Sequence, residues 1–504
     1  MLEKLFEVSK RVPERVALIS GDKRITYGEL LNKSAALALF LEEKLGDRRD
    51  PVVVYGHKNP LMLVCFLACV RTGRAYCPTD ISMPLERTWD IVDSVGTEII
   101  LAPEENCDLG DNLGKYTVIT LEEIEKAVSE ESRYYIERET LDESLSVKED
   151  DIYYIIFTSG STGKPKGVEI SHGALSRFTD WSSTLAFDAE DKDGAVFLNQ
   201  APFSFDLSVM DLYTSLACGG TEFCLSKDTR SDMETMLEAL EKSGINYWVS
   251  TPSFADMCLS DHSFKSSLLP SLRAFLFCGE KLTKDTAGKL MERFPEAKVM
   301  NTYGPTESTV AVTEVLIEEK MLKDEKELPI GRVKPGTEIR IAPDTKEILI
   351  LGDTLSEGYF RNPEKTAEAF FITEDGKRAY HTGDEGFFDG DMLYYRGRID
   401  SQIKLHGYRI ELGDIESNLI EIDGIRAAAV LPKRRDGSIK FLVAFVVMEG
   451  KEEGERHFEE AKAIKEELKK KLPEYMVPKK IVFKNSLPMT HNGKTDRKKL
   501  ENTL

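Results

Sequence analysis

The stretch "YIIFTSGSTGKPKGVEISH", Tyr154 to His172, sets Thr158, Ser159, Ser161 and Thr162 among Gly160, Gly163 and Gly167 directly after an apolar run, then adds Lys164 and Lys166. Small hydroxyls, bare backbone amides and ammonium groups are what a loop needs to wrap a polyphosphate. Two common phosphate loops are excluded by the order of residues. A Walker A loop needs Ser or Thr after Gly-Lys, whereas Gly163-Lys164 is followed by Pro165. The G-x-G-x-x-G dinucleotide fingerprint is also absent from this turn. What remains is a loop that holds phosphate with hydroxyls and amides and uses its lysines as flexible counter-charges.

Such a loop works only if regular elements hold both of its ends. The run before it reads as a strand, and "KGVEISHGAL" after it reads as the opening of a helix. The same alternation runs through the first four hundred residues or so. "PVVVYGH" from Pro51 predicts a strand, "PLMLVCFLACVRTG" a helix closed by Gly73, and "TEIILA" the next strand. The acidic stretch from Pro103 to Asp151 reads as a surface excursion. This βαβ texture predicts an α/β fold, mainly parallel sheets with helices on both faces. Between Ile330 and Tyr395 short strands with close turns, "TKEILILGD" and "DGDMLYYRGR", predict a small antiparallel β subdomain. A compact segment with lysine-rich helices such as "AKAIKEELKKKLPEYM" follows. The boundary is placed at Asp400, giving a large N-terminal domain over 1–399 and a small α+β domain over 400–504.

The bulk numbers limit the partners. At 504 residues with 41% hydrophobic and 31% charged residues, the chain can bury large cores. A net charge of -21 argues against coating nucleic acid, whose phosphates would be repelled. The longest strongly apolar run, Leu61 to Val70, is too short to cross a bilayer, so no membrane insertion is expected, and the N-terminus lacks a signal-peptide core. A cytoplasmic location is expected. The eight cysteines contain no C-x-x-C pair, and Cys65 and Cys69, four apart in an apolar run, read as core residues of a helix. No H-E-x-x-H marks a zinc site.

Five motifs in order carry a resemblance that covers essentially the whole chain. Besides the phosphate loop they are "NTYGPTEST" from Asn301, "YHTGDEG" from Tyr380, "YYRGRIDSQIKLHGYRIELGDIE" from Tyr394 and "NGKTDRKKL" from Asn492. Together they resemble the adenylate-forming superfamily of acyl-CoA synthetases, luciferases and peptide-synthetase adenylation domains. "NQAPFSFDLSVMDLY" from Asn199 and "FLFCGEKL" from Phe275 look like its branch that loads D-alanine onto carrier proteins. The resemblance implies two half-reactions: a carboxylate attacks the α-phosphorus of ATP and expels pyrophosphate, then a phosphopantetheine thiol displaces AMP. It implies too that the C-terminal domain is mobile and alternates between the two steps about a hinge at Asp400.

Site roles follow from the same resemblance. Thr158, Ser159, Gly160, Ser161, Thr162, Gly163 and Lys164 are expected to hold the phosphates, and Glu307 to bind Mg²⁺, which favours oxygen ligands. Asn301, Thr302, Tyr303, Gly304, Pro305 and Thr306 line the nucleotide, with the Tyr303 ring on adenine. Asp384 takes the ribose hydroxyls, since a carboxylate accepts two hydrogen bonds, and Tyr395, Arg396, Gly397 and Arg398 supplement it. Lys494 is the expected catalytic group bridging carboxylate and phosphate. Lys404 and Gly407 flank the thiol channel. Asp206 is matched to the aspartate that pairs with a substrate ammonium; a buried carboxylate is costly unless paired, which favours an amino acid over a fatty acid. Its other reading is the N-cap of a helix from Leu207. Leu207, Met210, Ser253, Leu276, Cys278, Val310 and Ala311 complete a shallow pocket, in which Cys278 is the candidate wall against the L-enantiomer.

The implied partners are D-alanine and a separate phosphopantetheinylated D-alanyl carrier protein, for D-alanylation of lipoteichoic acid. Lysine clusters in the last fifty residues or so could steer an acidic carrier or simply face solvent. The hairpin "IAPDTKEILILG" from Ile341 is shorter than in many members. Use of another small amino acid or of free coenzyme A, and a nucleotide-binding scaffold without catalysis, remain the alternative readings.

Overall fold

The computed structural model describes residues 1–504 except 106, 108, 110–114, 161–164, 401, 406, 436–437, 452, 454–456 and 490–494. Its chain divides into two compact units. The first comprises Met1–Ile81, Ser94–Phe157 and Gly167–Gly397; the second comprises Ser82–Asp93, Thr158–Lys166 and Arg398–Leu504.

Two large mixed sheets dominate the first unit. In the nine-stranded one the strands run in the order Arg332–Val333, Thr313–Leu316, Lys298–Tyr303, Ala274–Phe277, Tyr247–Ser250, Val196–Asn199, Thr221–Cys224, Val16–Ser20, Lys23–Thr26. The run from Lys298–Tyr303 to Val16–Ser20 is parallel, and the strands outside it are antiparallel. The central parallel strands Val196–Asn199, Tyr247–Ser250 and Ala274–Phe277 are short and almost wholly buried, as strands covered by helices on both faces must be. The seven-stranded sheet has the order Gly358–Tyr359, Lys166–Ser171, Ile152–Thr158, Tyr76–Asp80, Val52–Gly56, Ile99–Ala102, Thr117–Thr120.

The strand at Val52–Gly56, the helix Pro60–Arg71 ending two residues before Gly73, and the strand Ile99–Ala102 lie where apolar periodicity put them. Cys65 and Cys69 are fully buried in that helix, and burial pushes the Cys65 thiol well above its ordinary range and the Cys69 thiol up to about 12, so neither is a nucleophile. The stretch Pro103 to Asp151 is more than an excursion, because Thr117–Thr120 extends the sheet and Leu121–Val128 is a helix with a complete capping box at Thr120.

"KGVEIS" is also corrected: Lys166–Ser171 is a strand, and the helix starts only at His172. Its alternation, with Val168 and Ile170 buried and Glu169 between them, is the period-two signal of a strand. Ser171 then caps the helix by accepting from the Ala174 amide.

The expected β subdomain is a five-stranded antiparallel sheet, Thr337–Ile341, Glu347–Gly352, Arg378–Asp389 and Phe370–Ile372 in order, with Met392–Arg398 also on Arg378–Asp389. In the second unit, Ile425–Arg435, Ser438–Met448 and Lys480–Phe483 form a three-stranded sheet beside a Gln402–Leu405/Tyr408–Glu411 hairpin. The helices Leu412–Ile420 and Phe458–Lys471 contribute to its core through Ile415, Leu419, Ile464 and Leu468. This is the α/β architecture, with a small α+β part, that the periodicity predicts. No helix among the described residues is long and apolar enough to cross a membrane.

Candidate active site

Four parallel strands end in loops that carry motif residues. Val196–Asn199 leads to Asp206, Tyr247–Ser250 to Ser253, Ala274–Phe277 to Cys278, and Lys298–Tyr303 to Gly304 and Glu307. The carboxyl edge of an open parallel sheet is where such folds bind ligands, because helices pull the connecting loops apart there.

Asp206 occupies the N-cap position of the helix Leu207–Cys218, yet its side chain makes no cap hydrogen bond. It instead accepts from the Thr306 hydroxyl at 2.7 Å, which joins two motifs about a hundred residues apart in the chain. The carboxylate is half-buried, whereas Leu207, Met210, Leu276, Cys278, Val310 and Ala311 are buried. Ser253 is half-buried, its amide donating to Glu280 at 3.2 Å.

The turn after Lys298–Tyr303 is strained. Thr309 and Val310 have φ of 59° and 69°, a region that a β-branched residue adopts only when its surroundings enforce it. Those surroundings are on hand. The Thr309 hydroxyl donates to the Thr354 carbonyl at 2.7 Å, and the Cys278 thiol donates to the Val310 carbonyl at 3.5 Å. A Cβ on Gly304 would stand 2.6 Å from Ala311 Cα and 2.8 Å from the Val310 oxygen, so only glycine lets the two arms of the turn meet.

Glu307 is fully buried and its Oε1 accepts from the Tyr359 hydroxyl at 2.7 Å, while its carbonyl accepts from the Ser356 amide. Tyr303, also buried, donates its hydroxyl to Asp384 Oδ2 at 2.7 Å, so residues chosen separately for adenine and ribose are in direct contact. The Asn301 amide donates to Pro329 and the Thr302 hydroxyl to Phe277, both backbone carbonyls, so these side chains brace the loop bases. Pro305 is buried at the start of the short turn Thr306–Ser308. Tyr395, Arg396 and Gly397 end a strand of the β subdomain, with Arg396 3.5 Å from Glu385.

Within the second unit, Arg398 places Nε 2.9 Å and Nη2 2.5 Å from the two oxygens of Asp400, a bidentate fork, and the Gln402 amide donates to Asp400 Oδ1. Ser159 donates to the Arg409 carbonyl at 2.7 Å and accepts from the Glu411 amide. Thr158 Oγ1 is buried with no partner among the described residues, and Gly160 is buried beside it in sequence. Lys404 lies in the strand Gln402–Leu405, and Gly407 turns that hairpin with φ of 82°. Ser161, Thr162, Gly163, Lys164 and Lys494 lie outside the described residues.

Among the described residues no group of three or more His, Cys, Asp or Glu could hold a metal ion. A lone carboxylate such as Glu307, oriented by Tyr359, still fits Mg²⁺, which commonly takes one or two carboxylates and completes its shell with phosphates and water. Motif reading missed Tyr359, Thr354 and Ser356, which hold the Glu307 turn. "LSEGYFRNP" carries no spacing signal, and only the fold brings it to Glu307.

A largely parallel sheet whose carboxyl edge carries Asp206 and Glu307 is the ligand-binding arrangement of an open α/β fold. The model for the AMP-binding enzyme family matches residues 5–360, and that for the AMP-binding enzyme C-terminal domain matches 414–494; the chain belongs to this family. It is 43% identical over 514 residues to a D-alanine--D-alanyl carrier protein ligase of Bacillus cereus (strain B4264), covering 99% of this chain and 98% of that one. A ligase of the same name from Bacillus mycoides (strain KBAB4) is 42% identical over the same shares of both chains. Among solved structures, o-succinylbenzoate CoA synthetase from Bacillus subtilis superposes with a TM-score of 0.83 at 20% identity, over 99% of this chain and 98% of that one. A Vibrio cholerae adenylation domain in complex with glycyl-adenosine-5'-phosphate gives 0.80 at 23%, over 100% and 97%. Both share the fold.

Proposed function

We propose that this chain is a ligase that activates D-alanine with ATP and passes it to the phosphopantetheine thiol of a D-alanyl carrier protein. Full-length identity of 43% to ligases of that name carries the reading. In the first half-reaction a carboxylate oxygen of the amino acid bonds to the α-phosphorus as the bond to pyrophosphate breaks. Two anions must meet, so the residues serve mainly to hold and neutralise them. Asp206, with Thr306 fixing one oxygen, receives the substrate ammonium. The loop Thr158 to Lys164 takes the phosphates; the unpartnered Thr158 hydroxyl supports that use. Asp384, held by Tyr303, takes the ribose hydroxyls, and Lys494 neutralises charge between carboxylate and phosphate. Mg²⁺ at Glu307, when bound, supplies further charge neutralisation of the triphosphate.

In the second half-reaction the thiolate sulfur bonds to the carbonyl carbon and AMP leaves. Lys404 and Gly407 belong to the segment that meets the pantetheine arm, and Asp400 is the hinge between a domain over 1–399 and one over 400–504. The reading places the enzyme in the cytoplasm, where ATP is supplied, upstream of lipoteichoic acid D-alanylation.

The test is ATP/pyrophosphate exchange with D-alanine, L-alanine, glycine and acetate. D-alanine should give the highest kcat/KM, with AMP and pyrophosphate as products once carrier is added. Release of ADP, or equal exchange with acetate, overturns the assignment.

A further inference from the structure

Beneath the substrate helix lies a set of buried charges that the mechanism above does not use. Lys58, between the strand Val52–Gly56 and the helix Pro60–Arg71, is 1% exposed. Its ammonium donates to the carbonyls of Asn199 at 2.9 Å and Gln200 at 3.2 Å. Asn199, fully buried, donates its side-chain amide to Asp211 Oδ1 at 3.1 Å. Asp211 lies on the helix that begins at Leu207, four residues on and so on the same face. The segment from Asn199 to Asp206 is therefore tied down at its start and, through Asn199, to the helix on which it ends.

The charges balance only with one added proton. Asp211 and Glu222 are both fully buried and their carboxyl groups lie within hydrogen-bonding reach of each other. Asp211 Oδ2 and Glu222 Oε1 have no donor among the described residues, while Ser215 donates to Glu222 Oε2 at 2.9 Å. Two carboxylates facing one another cannot both stay ionised in a dry interior, so a shared proton satisfies the two orphan oxygens. One ammonium then faces one net negative charge, the pairing that burial demands. Burial accordingly pushes Asp211 up to about 7 and Glu222 further above its ordinary range, and pulls Lys58 down to about 8. Asp80, Arg230 and Cys224 are the other titratable groups acting on Lys58.

We propose that Lys58, Asn199 and Asp211, with a proton shared between Asp211 and Glu222, are positioning residues that hold Asp206 and Met210 in register for the substrate ammonium. The inference rests on the amino-acid-activating reading above. It predicts a selective defect, because the clamp grips the segment leading to Asp206 and not the Glu307 or Asp384 turns.

The experiment is ATP/pyrophosphate exchange with D-alanine for wild type, Lys58→Met, Asp211→Asn, Asn199→Ser and Glu222→Gln, each with a melting temperature. Lys58→Met, Asp211→Asn and Asn199→Ser should raise KM for D-alanine about tenfold, the effect of a lost buried charge-assisted hydrogen bond, with KM for ATP within about twofold. Glu222→Gln, whose amide donates permanently where the shared proton sat, should keep the wild-type KM at neutral pH. If Lys58→Met does not fold, Asn199→Ser and Glu222→Gln decide the matter. Equal changes in both KM values, a fall in melting temperature with KM for D-alanine unchanged, or a Glu222→Gln defect as large as that of Asp211→Asn overturns the proposal. Wild type inactive with every amino acid would instead sink the functional reading on which it rests.

Discussion

At the scale of single residues, the proposed acyl pocket and the proposed metal carboxylate give the sharpest predictions. Cys278 is buried and its thiol is anchored on the strained Val310 carbonyl, so its sulfur is a fixed wall. Cys278→Ala opens that wall by one sulfur atom, and the ratio of D-alanine to L-alanine exchange should narrow by roughly tenfold, within the 1–3 kcal/mol that such a group discriminates. An unchanged ratio would move enantiomer selection to another side chain. Tyr359→Phe removes a donor that orients Glu307 Oε1. The Mg²⁺ concentration for half-maximal exchange should rise about tenfold, the lower end of the roughly 10–100-fold loss that follows removal of an outer-shell partner, with KM for D-alanine unmoved. Magnesium titration of both enzymes checks this. Asp206, Glu307 and Asp384 could be put forward as candidates from sequence because their motifs are contiguous and unusual in composition. Tyr359 and Lys58 could not, because each acts through a partner far away in the chain, and a buried polar residue in an apolar run looks like any interruption of it.

Elements were legible where periodicity and capping agreed. The helix Pro60–Arg71 combines a continuous apolar run with Asn59 accepting from the Leu61 amide, and proline in the first turn. "KGVEIS" was misread as helical because its alternating signal is only six residues long and precedes a true helix. Its strand is completed by pairing with Gly358–Tyr359, which no local pattern announces. That pairing also bears on the site, since Tyr359 sits on it and reaches Glu307. The turn between Lys298–Tyr303 and Thr313–Leu316 is the most demanding element, two antiparallel strands joined through positive-φ Thr309 and Val310. Gly304→Ala would drive a Cβ into backbone atoms of that turn that cannot rotate away. We expect a loss of roughly 1–3 kcal/mol of stability, read as a lower melting temperature, and exchange falling more than tenfold because Glu307 and Thr306 ride on the same turn. A variant with normal exchange would show that the turn's conformation does not matter for the chemistry.

The whole molecule adds two dependences that no single element contains. The first is on pH. Burial raises the Asp211 carboxyl to about 7, against roughly 3.9 in an unfolded chain, so between these values the folded state holds a proton that the unfolded chain lacks and stability falls as pH rises. Asp211→Asn should reduce that slope of melting temperature against pH, leaving the part that the raised Glu222 carboxyl contributes; a slope identical to wild type would show that Asp211 is not a raised carboxyl. The second dependence is between half-reactions. On the proposed mechanism a single reaction centre cannot hold Lys494 against the phosphate and a thiol against the same carbonyl at once, so the two steps should be separable by mutation. Lys494→Ala is expected to abolish exchange while thioester formation from supplied D-alanyl-adenylate persists. Asp400 is held in a bidentate fork with Arg398 and accepts from the Gln402 amide. Asp400→Pro removes those contacts and locks φ, so it should impair transfer to the carrier more than adenylation. Asp400→Ala, which loses the carboxylate but keeps backbone freedom, separates the two causes. If it matches the proline variant, the ion pair matters and the hinge does not. If it transfers normally while the proline variant fails, rotation at residue 400 is what the second step requires.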